Sequence, residues 1–353
     1  MIQNDEQNYS ENQTNDQNVA FDASYIGELL TMTKSKMEER RKKTEIRRLS
    51  WLTGVPFLLV FLFTMFWKTI FFAVVDLLSI SRQSVADFFS SSVNQDLLSV
   101  IISSFIFIVF FSPAIKISKR RASDVLSFKK PEKGTVLPLV LIGFSFCMFA
   151  NILNNQFAAF FESFGTKYSV GSSRPEISVL SFVMSVISTA IIPGLVEEYA
   201  CRGVIMGILL PYGEGFALLS TAIIFGVMHG NFEQMPFAFL VGIILGYIRI
   251  KSGSLWPCIL VHSLNNLFSV LVQFAGFYIS VQERNVLQLG LLVLSFIVGL
   301  VATFVFTKNE SALRLDKKVT YIKEKDKYKW FFTSPVMIVA LLGHFGMSFK
   351  YFS

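Results

Sequence analysis

The feature that most constrains this chain is a series of apolar runs, many about twenty residues long, separated by polar connections. They fall at residues 51–78, 97–117, 135–161, 177–210, 215–229, 236–250, 254–277 and 286–307. A helix rises about 1.5 Å per residue, so about twenty apolar residues cross a hydrocarbon layer about 30 Å thick. Inside lipid each backbone N–H and C=O must be satisfied within its own element, which leaves the helix as the form such runs take. The expected fold is therefore all-α: a polytopic membrane bundle of about eight transmembrane helices. Composition agrees, with 52% hydrophobic and 16% charged residues, where soluble domains carry about a quarter charged. Soluble globular, collagenous, disulfide-scaffold and disordered classes are excluded. A ninth apolar run at 331–349 contains Pro335, Gly343, His344 and Gly346, and the sequence leaves open whether it spans or lies at the interface.

Charge divides along the same boundaries. Of 32 Lys and Arg residues, eight lie between Lys34 and Arg48, seven between Lys116 and Lys133, two at Arg249 and Lys251, and eight between Lys308 and Lys329. Alternating spans that start inside put all four clusters on one side, the positive-inside pattern. This accounts for the net charge of +7 without a nucleic-acid partner. The expected setting is a multi-pass protein of a bacterial plasma membrane with a cytoplasmic N-terminus. The organisation expected is 1–50 as a cytoplasmic tail, disordered and then basic and helical; 51–134 as two spans and a basic loop; 135–307 as a core; and 308–353 as a basic loop and hydrophobic segment. No signal peptide is expected at the polar N-terminus. Residues 177–210 are too long for one straight span, and Pro193-Gly194 marks an expected kink or break. The short fifth and sixth runs suggest an inner hairpin. Cys147, Cys201 and Cys258 sit in apolar runs without CxxC spacing and read as packing residues.

Ionisable groups inside a membrane are costly and therefore paired or functional. Here they are few: Glu197, Glu198, Arg202, His229 and His262, with Asn265 and Asn266 beside the last. On a helix Glu198 and Arg202, four apart, share a face, whereas Glu197 points about 100° away. Glu198 and Arg202 thus read as an ion pair, and Glu197 is left in apolar surroundings, suited to proton transfer. One ion-pair network stapling helices is the competing reading of all three. Phe225 and His229 are one turn apart, as are His262 and Asn266. A carboxylate, imidazoles and an amide on neighbouring helices supply what amide hydrolysis by water needs: a base, a group that holds the water, and donors for an oxyanion.

In order, these residues read EExxxR (Glu197, Glu198, Arg202), FxxxH (Phe225, His229) and HxxxN (His262, Asn266). The set resembles the CPBP (Abi) family of intramembrane proteases, the type II CAAX prenyl endopeptidases and bacteriocin-processing enzymes, over roughly residues 135–307. The resemblance implies that Glu197 activates water with the help of His229, that His262 and Asn266 stabilise the oxyanion, and that Glu198, Arg202 and Phe225 support the site. It further implies a helical core of eight spans with a cavity opening toward the cytoplasm. The function implied is an intramembrane endopeptidase acting on a membrane-associated peptide or protein in the lipid bilayer.

Glu197, His229 and His262 could also ligate zinc, but HExxH is absent and the family resembles glutamate-type proteases, so no cofactor is expected. Two other functions fit the same residues. One is a non-catalytic membrane immunity or scaffold protein of the same fold. The other is a proton-coupled transporter using Glu197, His229 and His262 as a relay, against which stands the absence of an internal repeat.

Overall fold

The computed structural model describes residues 5–131, 134–163, 175–308, 314–315 and 321–351. Among them every regular element is a helix: α1 (Asp5–Leu77), α2 (Arg82–Ser90), α3 (Ser92–Ile117), α4 (Ala122–Leu126), α5 (Val136–Ser163), α6 (Val179–Ser185), α7 (Ile192–Glu198), α8 (Met206–Leu209), α9 (Glu214–Met228), α10 (Gln234–Ser252), α11 (Trp256–Ala275), α12 (Val281–Thr307), α13 (Glu324–Phe332) and α14 (Pro335–Met347). Seven helical runs are long and apolar enough to cross a membrane, and an eighth is reached if the bent pair α13–α14 counts as one. The chain is a polytopic membrane helical bundle.

The chain divides into Met1–Arg48 and Leu49–Ser353. In the first, helix begins at Asp5, where a disordered stretch was expected. No Pro or Gly occurs between Asp5 and Gly27 to break it. Everything below belongs to the second.

One expectation about the spans changes. Residues 179–212 form one continuous helical run of 34 residues; of the kink or break expected at Pro193-Gly194, the break is absent. It includes π-helical stretches at Val186–Ile191 and Tyr199–Ile205, which flank α7. The fifth run is the 15-residue helix α9, about 22 Å long and short for a full crossing. The ninth run falls on a bent pair of helices, α13 and α14. Pro335 cannot continue α13, and α14 departs from it at 68°.

Lipid tails are as apolar as leucine, so membrane helices associate by close packing and hydrogen bonds, and small residues mark where they meet. Gly242 of α10 lies against Ala222 of α9, where an added Cβ would be 3.0 Å from the Ala222 Cα. Across α5 and α12, the Ser145 hydroxyl donates to the Ser295 carbonyl (2.5 Å). The α9–α10 hairpin is inner, as expected: over half of the α10 apolar window is buried, against 11% for α12.

One end of the bundle gathers basic residues. The Leu255 N–H donates to the Ser127 carbonyl (3.1 Å) and the Ser127 hydroxyl to the Gly253 carbonyl (2.6 Å). Arg120 donates to the Gly207 carbonyl, and buried Lys327 donates to the Tyr212 carbonyl at 2.5 Å and pairs with Glu324. The loop carrying α4 is pressed on α8: a Cβ on Gly207 would be 2.2 Å from the Val125 carbonyl oxygen.

Candidate active site

The site forms where α7, α9 and α11 meet. Gly194 sets the distance between α7 and α11, since a Cβ there would lie 2.1 Å from the Ser263 hydroxyl and 3.3 Å from the Ile259 carbonyl. One turn on, α7 presents Glu197 and Glu198, and α11 presents His262.

Glu198 and Arg202 are both fully buried and paired, Arg202 Nη1 donating to Glu198 Oε1 at 2.7 Å. The same oxygen accepts from His262 Nδ1 at 2.8 Å. Arg202 also donates to the Gly242 carbonyl (3.3 Å) and lies 4.2 Å from the centre of the Phe225 ring. Phe225 therefore covers the guanidinium, a cation–π contact. Its ring also meets those of His229 and His262 edge to face, at 5.0 and 6.0 Å.

Glu197 projects away from Arg202. It is partly exposed, and His262 Nε2 lies 3.9 Å from its Oε2. His229, just past the end of α9, has its Nδ1 2.8 Å from the Phe225 carbonyl. A carbonyl only accepts, so Nδ1 carries the hydrogen, and in the neutral ring Nε2 carries the lone pair. His262 is oriented by Glu198: Nδ1 donates to the carboxylate, and Nε2 is turned to the cavity.

Asn266 is anchored differently. Pro193 has no N–H, so the carbonyl four residues earlier, Thr189, lacks its usual helical donor. The Asn266 amide donates to it at 3.0 Å. The Asn266 oxygen accepts from Asn265 (3.1 Å), whose own oxygen accepts from Asn151 of α5 (3.2 Å). An amide chain thus runs from α5 through α11 to the π-helical stretch before α7.

Glu197, Phe225, His229, His262 and Asn266 all line one cavity of about 280 Å³. Glu198 and Arg202 lie behind it as its support. Sequence reasoning missed Asn151, and it missed Asp96 of α3, which accepts from the hydroxyls of Ser185 (3.0 Å) and Ser188 (2.8 Å). Ser188 lines the same cavity. An Asp at the polar start of an apolar run gives no signal that it is turned inward. The three cysteines are buried and free. Among the described residues no group of three or more His, Cys, Asp or Glu is arranged to hold a metal ion.

Residues 179–268 match the family model for type II CAAX prenyl endopeptidase, Rce1-like, a segment that contains all three motifs. The chain is also 27% identical over 155 residues to the membrane-embedded CAAX protease MroQ of Staphylococcus aureus (strain USA300), an alignment covering 42% of this chain and 62% of that protein. The match thus spans about three fifths of the relative's length. No solved structure matches the chain.

Proposed function

We propose that this chain, whose motif-bearing segment belongs to the CPBP (Abi) family of intramembrane proteases, is an endopeptidase that hydrolyses a peptide bond of a membrane-associated peptide or protein. The observation that carries the reading is the division of labour between adjacent carboxylates. Glu198 is committed to Arg202 and His262, while Glu197 faces a cavity that both histidines and Asn266 also line.

In this reading water sits between Glu197 and His229. Glu197 removes one proton as the oxygen attacks the peptide carbonyl carbon, and His229 Nε2 accepts a hydrogen bond from the other hydrogen. His262, protonated at Nε2 and held at Nδ1 by Glu198, donates to the developing oxyanion together with the Asn266 amide. As the tetrahedral adduct collapses the C–N bond breaks, and the proton on Glu197 passes to the leaving amine. No metal enters these steps, so a chelator should leave cleavage unchanged. The basic end of the bundle is assigned to the cytoplasm of a bacterial cell.

The test compares peptide termini in membrane fractions of cells carrying wild type, Glu197→Ala and His229→Ala. Termini that vanish in both variants are expected. If none depends on both residues, the chain is no protease, and the scaffold reading replaces this one.

A further inference from the structure

The segment that matches the family model ends at residue 268, and the three motifs give no reason for the C-terminal pair α13–α14. The pair nevertheless touches both ends of α9, the helix that leads into His229.

At the basic end α13 is fastened to the start of α9. Lys327 donates to the Tyr212 carbonyl at 2.5 Å, the Tyr328 hydroxyl donates to the Gly215 carbonyl at 3.2 Å, and the Phe216 and Phe331 rings meet at 5.5 Å. Pro335 then opens α14, whose 13 residues run about 20 Å, nearly the length of α9. Its far end arrives at the turn 229–233, which joins α9 to α10.

In that turn the chain reverses directly after His229, because Gly230 has φ +59°, in the left-handed region that only glycine enters freely. The polar groups of the turn are met locally: buried Asn231 accepts at Oδ1 from the N–H groups of Glu233 (2.9 Å) and Gln234 (3.2 Å). Its apolar side is met by the C-terminal segment. A Cβ on Gly230 would lie 3.6 Å from the Met347 Cβ. Phe232 meets Phe345 and Phe349 edge to face at 4.8 and 5.2 Å, and the Ser348 hydroxyl donates to the Met235 sulfur at 3.9 Å. Behind it stands α1, where a Cβ on Gly343 would lie 2.8 Å from the Phe61 ring.

His262 sits in the middle of a helix, whereas His229 sits where one has just ended. The bond from His229 Nδ1 to the Phe225 carbonyl sets the rotation of the ring. The place of the turn that carries it is set from outside.

We infer that α13–α14 is a strut along α9 that positions His229 beside Glu197, with Phe232 and Phe345 as its positioning residues. The effect on cleavage rests on the proposed protease reading, but the placement of His229 can be measured without turnover.

The experiment uses full-length protein in lipid nanodiscs and two readouts. One is kcat and KM on a peptide spanning a terminus that depends on Glu197 in cells. The other is the rate at which diethyl pyrocarbonate modifies each of the three histidines, followed by mass spectrometry. Phe232→Ala and Phe345→Ala each remove two ring contacts, so the turn should leave its place about ten-fold more often. His229 should then be modified about ten-fold faster, with His262 unchanged. An imidazole displaced by ~1 Å should lower kcat at least about ten-fold and leave KM as it was. Phe345→Tyr keeps the ring and should keep both readouts at wild type, as should Leu342→Ala, on a face of α14 that is 65% exposed. Gel filtration and helical circular dichroism select the variants that fold. Wild-type His229 modification in both folded alanine variants would overturn the inference. So would an equal rise at His229 and His262, which is general loosening, or a raised KM with kcat intact, which places the effect on binding. Selective modification of His229 in a protein whose cellular termini ignore Glu197 would refute the protease reading and leave the strut standing.

Discussion

Glu198 accepts two hydrogen bonds at a single oxygen, from Arg202 at 2.7 Å and His262 at 2.8 Å, and both members of the ion pair are fully buried. Replacing Glu198 with Leu strands the guanidinium with a 3.3 Å bond to the Gly242 carbonyl and the Phe225 ring. Two charge-assisted bonds at about 1.5–3 kcal/mol each give about 3–6 kcal/mol, in line with about 3–5 kcal/mol for breaking a buried pair from one side. Arg202→Met should cost a similar amount, because it leaves the carboxylate buried with His262 alone. The double variant removes both charges and leaves His262 Nδ1 as the stranded group, worth about 1–3 kcal/mol. It should therefore be more stable than either single variant. Reversible unfolding of purified protein in mixed detergent and SDS micelles, followed by circular dichroism, measures all three. Single variants within about 1 kcal/mol of wild type, or a double variant as unstable as the sum of the singles, would refute the reasoning. The first outcome would mean that water reaches the pair, and the second that the two residues act independently.

Gly194→Ala should push α7 from α11 and separate Glu197 from His262, and an ~1 Å misplacement at a reacting centre costs about 100-fold in rate. Ser263→Ala, which removes the nearest atom, should restore much of the loss in a cleavage assay; no restoration would mean that the Ile259 carbonyl sets the spacing. Gly207→Ala meets backbone, not a movable side chain, and should destabilise the protein by about 1–3 kcal/mol while making the α4 loop more sensitive to added protease. His344 is buried and stacked on Phe57 at 4.1 Å, with Nε2 lacking a hydrogen-bond partner among the described residues. His344→Phe keeps the stack and removes the stranded nitrogen but also gives up the Nδ1 bond to the Ala340 carbonyl (2.9 Å), so the two changes should offset and stability should stay within about 1 kcal/mol of wild type in the same unfolding assay.

What could be read from the chain was whatever a single helix determines. The runs of apolar residues gave the fold class, and a spacing of four put Glu198 and Arg202 on one face with Glu197 turned aside. What could not be read was contact between helices. Nothing local announces that His262 reaches Glu198, 64 positions away, or that Asn151 begins an amide chain ending at Thr189. Pro193 marks a kink or break in the sequence because its missing N–H is a local fact. That the Thr189 carbonyl is met by Asn266 is a fact of tertiary structure. The C-terminal run was ambiguous for a related reason: its sequence marks a bend at Pro335 but not what the bend packs against. In the structure Phe232, three residues past His229, meets Phe345 and Phe349 of that region at 4.8 and 5.2 Å.

The π-helical stretches on either side of α7 mark where the residue count of this run can change. Each holds a wider turn, so removing one residue there lets the turn close into ordinary helix with the helix faces on either side kept. A deletion inside α7 has no such slack: it would rotate the residues on one side by about 100° and carry Glu197 out of the cavity, although no side chain of the site had been altered. In an alignment of related chains, single-residue gaps should therefore gather at Val186–Ile191 and Tyr199–Ile205 and be excluded from Ile192–Glu198.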